Sequence, residues 1–433
     1  MAQEQRALST TRNSNKTVVG GRTTADSLPP EIKGLITRNL HDLSPSTLKS
    51  LGLVWREAWH DIRTIRFEYI KFDDSSANGW RCKKLLSLLR TAPNVATYIH
   101  KIFVGSQLCV GYRFEMASGP TAQTRKWLAE ILTLASHLEV LALQKTCPVL
   151  LNDVSDELGF LTLRTAFQSS PVQTLNLTKY AFATPAGLLK FINGFRCLTR
   201  VQMKSIPEQG VQLASRLWQQ SLPRNEQLTS LTVGYGSMID VQFLDLVANE
   251  AIFPNISHSR LHHLWAFDSL PVLQRLLLRW PTLNTLRLST DHGNLYPGRV
   301  LMRFPSTLTT LEFSVTSHSK AVDYWALTLY HNRPVERVIV QFSFFIWKLP
   351  EDAGLARFDD ALAECVGHLD WRDELMLDHE WYTPEEQQRA RNWVYLWLPK
   401  VAKKFFVGMP PEPVPNVLYQ GTFASRFNQT IKP

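Results

Sequence analysis

Two adjacent histidines, His262 and His263, are the side chains in this sequence that first suggest a metal. Neutral imidazoles are good zinc ligands, but neighbours in an extended strand point to opposite faces, so these two cannot converge on one ion. A second candidate is Val233-Gly-Tyr-Gly-Ser237, whose GxG could bring backbone N–H groups against a phosphate. It lacks the third glycine and the acidic ribose ligand of a dinucleotide site, and reads as a turn. Asp73-Asp74 and Asp359-Asp360 pair carboxylates as acid–base catalysis requires, yet both lie in polar contexts and read as solvated pairs. Cys82, Cys109, Cys147, Cys197 and Cys365 are widely spaced, odd in number and without a CxxC. They imply neither a disulfide framework nor a zinc site, and fit a reducing compartment. No GxSxG, Walker, HExxH or EF-hand pattern occurs. The expected chemistry is that of a binding protein: not an enzyme, with no metal and no cofactor.

Composition narrows the class. With 433 residues, 44% of them hydrophobic, the chain can bury the core of two or three domain-sized units or of one elongated repeat array. Lys and Arg number 47 against 38 Asp and Glu, for a net charge of +9, but bases and acids are interspersed with no long run of one sign. That argues against a nucleic-acid-binding arm. No apolar run approaches the roughly 18 residues that span a bilayer, and the N-terminus lacks a signal-peptide apolar stretch. A protein inside the cell, cytoplasmic and/or nuclear and without a membrane, is expected. The sequons at Asn15, Asn176, Asn255 and Asn428 are then chance matches. Residues 1–25, rich in Ser, Thr, Arg and Asn, read as a disordered tail because they bury too little to offset ordering entropy. Their Arg/Ser bias is also that of a transit peptide, though without an amphipathic stripe.

The elements that would position a binding surface begin at Ser27-Leu-Pro-Pro-Glu-Ile32. Asp26 or Ser27 can cap a helix whose first turn holds Pro29, Pro30 and Glu31, where proline has no N–H to lose and the acid suits the dipole. Ile32, Leu35, Ile36 and Leu40 follow at helical spacing, then Ser44-Pro45 restarts the chain toward Leu48, Leu51, Val54, Trp55, Ala58 and Trp59. Two or three short helices in so few residues cannot hide these apolar side chains alone. They form either a cap on the rest of the chain or a docking module.

This segment resembles an F-box. Leu-Pro-x-Glu-Ile, Ile36, Leu40, Leu43, Leu48, Leu51 and the run Leu53-Val-Trp-Arg-Glu-Ala-Trp59 match that family's pattern without a gap from Leu28 to Trp59, except that Trp55 stands where cysteine is commonest. The resemblance implies docking on a Skp-family adaptor, and through it on a cullin. The implied adaptor-binding residues are Leu28, Pro29, Ile32, Ile36, Leu40, Leu48, Leu51, Val54, Trp55 and Trp59.

Beyond it, L-x-x-L-x-L recurs: IHKIFV from 99, LEVLAL from 138, VQTLNL from 172, LTRVQM from 198, LTSLTV from 228, LHHLWA from 261, LNTLRL from 283, LTTLEF from 308 and VERVIV from 335. Helical windows lie between them, among them 121–137, 184–195, 207–220, 239–250, 270–279 and 319–331. Strand plus helix at this period is the signature of a leucine-rich-repeat solenoid, irregular because the asparagine or cysteine after the strand is mostly missing. An ordinary α/β sheet with coincidental motifs is the competing reading. The expected fold class is α/β: a small all-helical F-box at 26–72, then an irregular leucine-rich-repeat solenoid with parallel strands and outer helices at 73–350. Residues 351–433 read as a C-terminal repeat or cap and tail, with a strand near Leu375 and a helix from Pro384 to about Leu398.

Alternation along each strand places Lys101, Phe103, Arg200, Gln202, Lys204, Thr232, His263, Trp265, Phe267, Arg287, Glu312 and Arg337 on the open face. Substrate binding is expected at Arg200, Gln202, Lys204, His263, Trp265, Phe267 and Arg287. Trp265 would serve as apolar anchor, and the bases would recognise an acidic or phosphorylated protein segment. The alternative is that the tail or a loop covers this face and Trp265 is simply packed. The expected role is substrate receptor of an SCF-type ubiquitin ligase. A free-standing repeat scaffold with the N-terminal helices as its cap, or an enzyme whose site no motif reveals, are the other readings.

Overall fold

The structure, a computed structural model, describes residues 36, 59–72, 78–105, 120–144, 160–178, 185–204, 224–234, 238–262, 269–289, 301–315, 319–332, 335–342, 353–373 and 398–405. Pairs of apolar residues one position apart build its strands. These are β1 (Tyr69–Phe72), β2 (Lys101–Val104), β3 (Val140–Gln144), β4 (Thr174–Thr178), β5 (Arg200–Lys204), β6 (Ser230–Gly234), β7 (His258–His262), β8 (Thr285–Ser289), β9 (Thr310–Val315), β10 (Val335–Phe342) and β11 (Val366–Asp373). All eleven join one parallel sheet whose spatial order is the chain order. Leu141 and Leu143, Leu175 and Leu177, Val201 and Met203, Leu231 and Val233, and Leu286 and Leu288 are buried, while the residues between them are not. One face therefore feeds a core that runs from Phe72 to Val401.

Helices close that face. They are α1 (Trp59–Glu68), α2 (Asn78–Thr91), α3 (Pro120–Leu134), α4 (Phe160–Ser169), α5 (Pro185–Asn193), α6 (Met238–Glu250), α7 (Ser269–Arg279), α8 (Ser319–His331), α9 (Ala353–Cys365) and α10 (Pro399–Phe405). Proline at the first position of α3, α5 and α10 fits where an N–H has no helical partner. On α3, Leu128, Ile131 and Leu132 are buried and Trp127 is half-buried, the expected apolar stripe. Neighbouring helices pack in succession, α2 on α3, α3 on α4, α5 on α6, α6 on α7, α8 on α9 and α9 on α10. The result is a mixed α/β, solenoid-like molecule in which each unit rests mainly on the next.

A polar ladder stitches successive units where the chain enters each strand. Thr229 and Ser230 both donate their backbone N–H to the Thr199 carbonyl, and the Thr229 hydroxyl donates to the same oxygen at 3.3 Å. Thr199 repeats this against Gln173, Ser257 against Thr229, and Thr309 against Asn284. In these four units the position after the first core residue is Thr or Ser for this reason. At the far end Asp359, 3% exposed, accepts the Lys400 and Val401 backbone N–H groups at 2.9 and 2.8 Å, capping α10 onto α9. Asp359-Asp360 is thus no solvated pair: Asp359 is a buried cap and Asp360 holds the Lys400 ammonium.

Three expectations on extent are corrected. The sheet starts at Tyr69, inside the span read as purely helical, because Phe67, Ile70 and Phe72 fill a repeat's apolar positions, two of them with aromatics. Beyond 350, where the sequence reads as a C-terminal repeat or cap, β11 runs over Val366–Asp373, ahead of the strand expected near Leu375, a residue outside those described. The third concerns the repeat read as LHHLWA from 261. The register pairs Ser259 with Leu231 and Leu286, and Leu261 with Val233 and Leu288, so this repeat begins at Ile256 and carries a serine at a leucine position. Its start moves by five residues, and the uneven intervals of 33 and 22 become 28 and 27. The helices expected at 207–220 and from Pro384 toward Leu398 lie outside the described residues, apart from Leu398 itself, a buried residue preceding α10.

Candidate protein-binding face of the sheet

The face opposite the helices is ordered by the strand register. One row runs Gln202, Thr232, Arg260, Arg287, Glu312, Ile339 across β5 to β10, and the row before it runs Arg200, Ser230, His258, Thr285, Thr310 and Arg337. Lys204 opens a third row opposite Gly234. Adjacent strands lie about 4.8 Å apart, so each row is a line of near neighbours.

Charge on this face is one-sided. Lys71, Lys101, Arg200, Lys204, Arg260, Arg287 and Arg337 occupy it against Glu312, counting described side chains on β1 to β10. Lys71 lies 5.5 Å over the Phe103 ring, and Lys101 Nζ is 3.3 Å from Glu68 Oε1. Arg287 Nε is 2.9 Å from Glu312 Oε1 with both side chains largely buried. Two arginines side by side at Arg260 and Arg287 would repel, and Glu312 on the next strand offsets one of them. Arg200 and Lys204 are exposed and make no ion pair with a described residue, and Gln202 and Thr232 are half-buried between the charged positions. From β9 onward the face closes: Glu312, Ser314 and Ile339 are buried.

Of the expected substrate-binding residues, Arg200, Gln202 and Lys204 stand together on β5, as read from the sequence. Arg287 is on the same face but is half-buried and paired. His263, Trp265 and Phe267 lie outside the described residues. The strand that was to carry them is His258–His262, and the positions it supplies to the face are His258 and Arg260, both exposed. Motif matching missed them because Ser259 hides the repeat, although the even spacing of neighbouring repeats would have found it. Of the expected adaptor-binding residues, Ile36 is helical and half-buried and Trp59 is the first residue of α1. Leu28, Pro29, Ile32, Leu40, Leu48, Leu51, Val54 and Trp55 lie outside the described residues.

Among the described residues no group of three His, Cys, Asp or Glu side chains is placed to hold a metal ion, and no helix is long and apolar enough to cross a membrane. Comparison with family models and with curated proteins finds no match to this chain.

Proposed function

We propose that this chain is the substrate-recognition subunit of an SCF-type cullin-RING ubiquitin ligase. In this reading the segment from Leu28 to Trp59 is an F-box that docks on a Skp-family adaptor, and the sheet is a leucine-rich-repeat solenoid whose open face holds the protein to be modified. The catalytic bond-making belongs to other subunits. This chain contributes proximity, raising the effective concentration of target beside the transfer machinery.

The observation that carries the reading is the order of the parts. An ungapped F-box-like pattern ends at Trp59, where α1 begins, and α1 leads directly into β1 of a sheet whose face opposite the helices carries exposed and half-buried side chains from β1 to β8. A recognition surface joined to a docking helix set is what a receptor requires. Affinity purification of the tagged full chain, followed by mass spectrometry, tests it: the adaptor and cullin should co-purify with targets. Targets without adaptor would identify a free-standing scaffold instead.

A further inference from the structure

The charged positions of the open face divide into engaged and free ones. Toward its start Lys71 lies over Phe103 and Lys101 beside Glu68, and beyond β6 Arg287 pairs with Glu312 while Arg260 and Arg337 also hold partners. On β5, in contrast, Arg200 and Lys204 are exposed, and neither makes a side-chain interaction with any described residue. They stand four positions apart on one strand, about 13 Å.

Between them the face is polar and its hydrogen bonding is unfinished. Gln202, midway, is flanked in register by Asn176 on β4 and Thr232 on β6, all three half-buried. No described group bonds to these side chains, and Asn176 Oδ1 is wholly buried without a donor among the described residues. Buried polar atoms are normally satisfied within the fold. Here the exposed parts of the row are left to solvent, which a ligand with its own donors and acceptors can displace. Thr174 and Thr178 stand beside Arg200 and Lys204 in the same register and extend this polar floor to both cations.

From this we infer that the face over β4 to β6 binds an extended segment of a partner protein, with acidic residues at positions i and i+4 and a hydrogen-bonding residue at i+2. Side chains of an extended chain alternate, so these three point to one side and span the same 13 Å or so. Laid along β5 they meet Arg200, Gln202 and Lys204 in turn. Asn176 and Thr232 lie about 4.8 Å to either side, within reach of the middle residue and of the backbone beside it. A single phosphate cannot bridge cations this far apart. A nucleic-acid strand carries charge at every nucleotide, which would set a phosphate over the neutral Gln202, and it stacks bases on aromatic rings. β3 to β6 contain no aromatic residue. Charge complementarity of this exposed kind sets association rate and salt dependence.

The inference rests on the reading of the sheet as the target-holding face and is independent of adaptor docking. It is tested by fluorescence anisotropy on the purified full chain without adaptor. The reference probe is a labelled glycine–serine peptide carrying Glu-Ser-Asn-Ser-Glu. Against it are set a peptide of the same composition with the two glutamates adjacent, the double glutamine counterpart, an otherwise neutral peptide with one phosphoserine, and a short single-stranded oligonucleotide. The reference peptide should bind, weaken with salt, and exceed the adjacent-glutamate peptide by about tenfold in affinity. Arg200→Glu and Lys204→Glu should each weaken it by about tenfold, and the double reversal should instead bind a peptide with lysines in place of the glutamates. That gain of binding cannot come from misfolding, so it decides the matter even where a single reversal lowers stability. Arg279→Glu, on the helical side, should change nothing. Equal binding of the spaced and adjacent peptides or of the glutamate and glutamine peptides overturns the inference. So does preference for the phosphoserine peptide or the oligonucleotide, or reversal variants that bind the reference peptide as the unmodified chain does. Adaptor capture with such a failure leaves the receptor reading standing, and peptide binding without adaptor capture leaves only this inference.

Discussion

Arg287 on β8 and Glu312 on β9 stand directly opposite each other in the register, with Nε 2.9 Å from Oε1 and side chains 16% and 9% exposed. Removing one partner takes the facing opposite charge from a nearly buried one, and breaking such a pair typically costs about 3–5 kcal/mol, whereas replacing both by apolar groups is often close to neutral. Glu312→Ala should therefore destabilise the protein by about 3 kcal/mol, and Arg287→Met with Glu312→Leu should restore most of it. Denaturant unfolding of the single and double variants checks this, and additive losses would show that the pair is not coupled.

Ser259 should be improvable. It is 3% exposed in the core face of β7, between Leu231 and Leu286, and its hydroxyl has no hydrogen-bond partner among the described residues. A buried hydroxyl without a partner costs about 1–3 kcal/mol, so Ser259→Ala should raise stability by about 1 kcal/mol. A lower melting temperature for that variant would mean that the hydroxyl is satisfied.

This serine also shows what the sequence could and could not tell. The leucine-type positions of β2 to β6 and β8 to β10 were legible because two buried residues one position apart need no knowledge of the partner strand. The repeat at β7 was hidden by Ser259, and the outermost ones by Phe67 and Phe72, and by Trp371, at leucine positions. Contacts made by register were out of reach: Arg287 meets Glu312, and Asp359 caps α10, across long sequence separations that only the folded array closes. Arg200 and Lys204 were legible because both sit on one strand.

Alkaline pH should weaken the fold through two buried acids. Burial pushes the Cys82 thiol up from 9.0 to about 12. Burial also takes the Tyr324 phenol from 10.0 to about 12, against a smaller lowering effect of the nearby Thr328 side chain and Met302 backbone. The folded state keeps protons that the unfolded chain has released, so their contribution is full below about pH 9 and is lost as pH rises toward 12. Tyr324→Phe should flatten the stability curve above pH 10, and Cys82→Ala should lower it overall but flatten it from about pH 9. Unchanged slopes in both variants would contradict the assignment.

Gly367 is needed by its neighbour. A Cβ there would come within 2.8 Å of the Glu336 carbonyl oxygen, a backbone atom of the adjoining strand that cannot swing aside. Gly367→Ala should loosen β11 from β10, seen as faster amide exchange in β11 with the earlier strands unaffected. Protection equal to that of the unmodified protein would show that the two strands can shift without cost.

The receptor reading is tested most directly by titrating the purified full chain with a purified Skp-family adaptor and measuring heat. Truncating an interface anchor typically costs about 2–4 kcal/mol, so the account predicts saturable one-to-one binding that Ile32→Ala with Trp55→Ala abolishes. The melting transition of the repeats should stay where it is in that variant. Absence of binding by the unmodified chain, or a double variant that unfolds while any residual folded fraction still binds, would contradict it and leave the N-terminal helices as a cap on the solenoid.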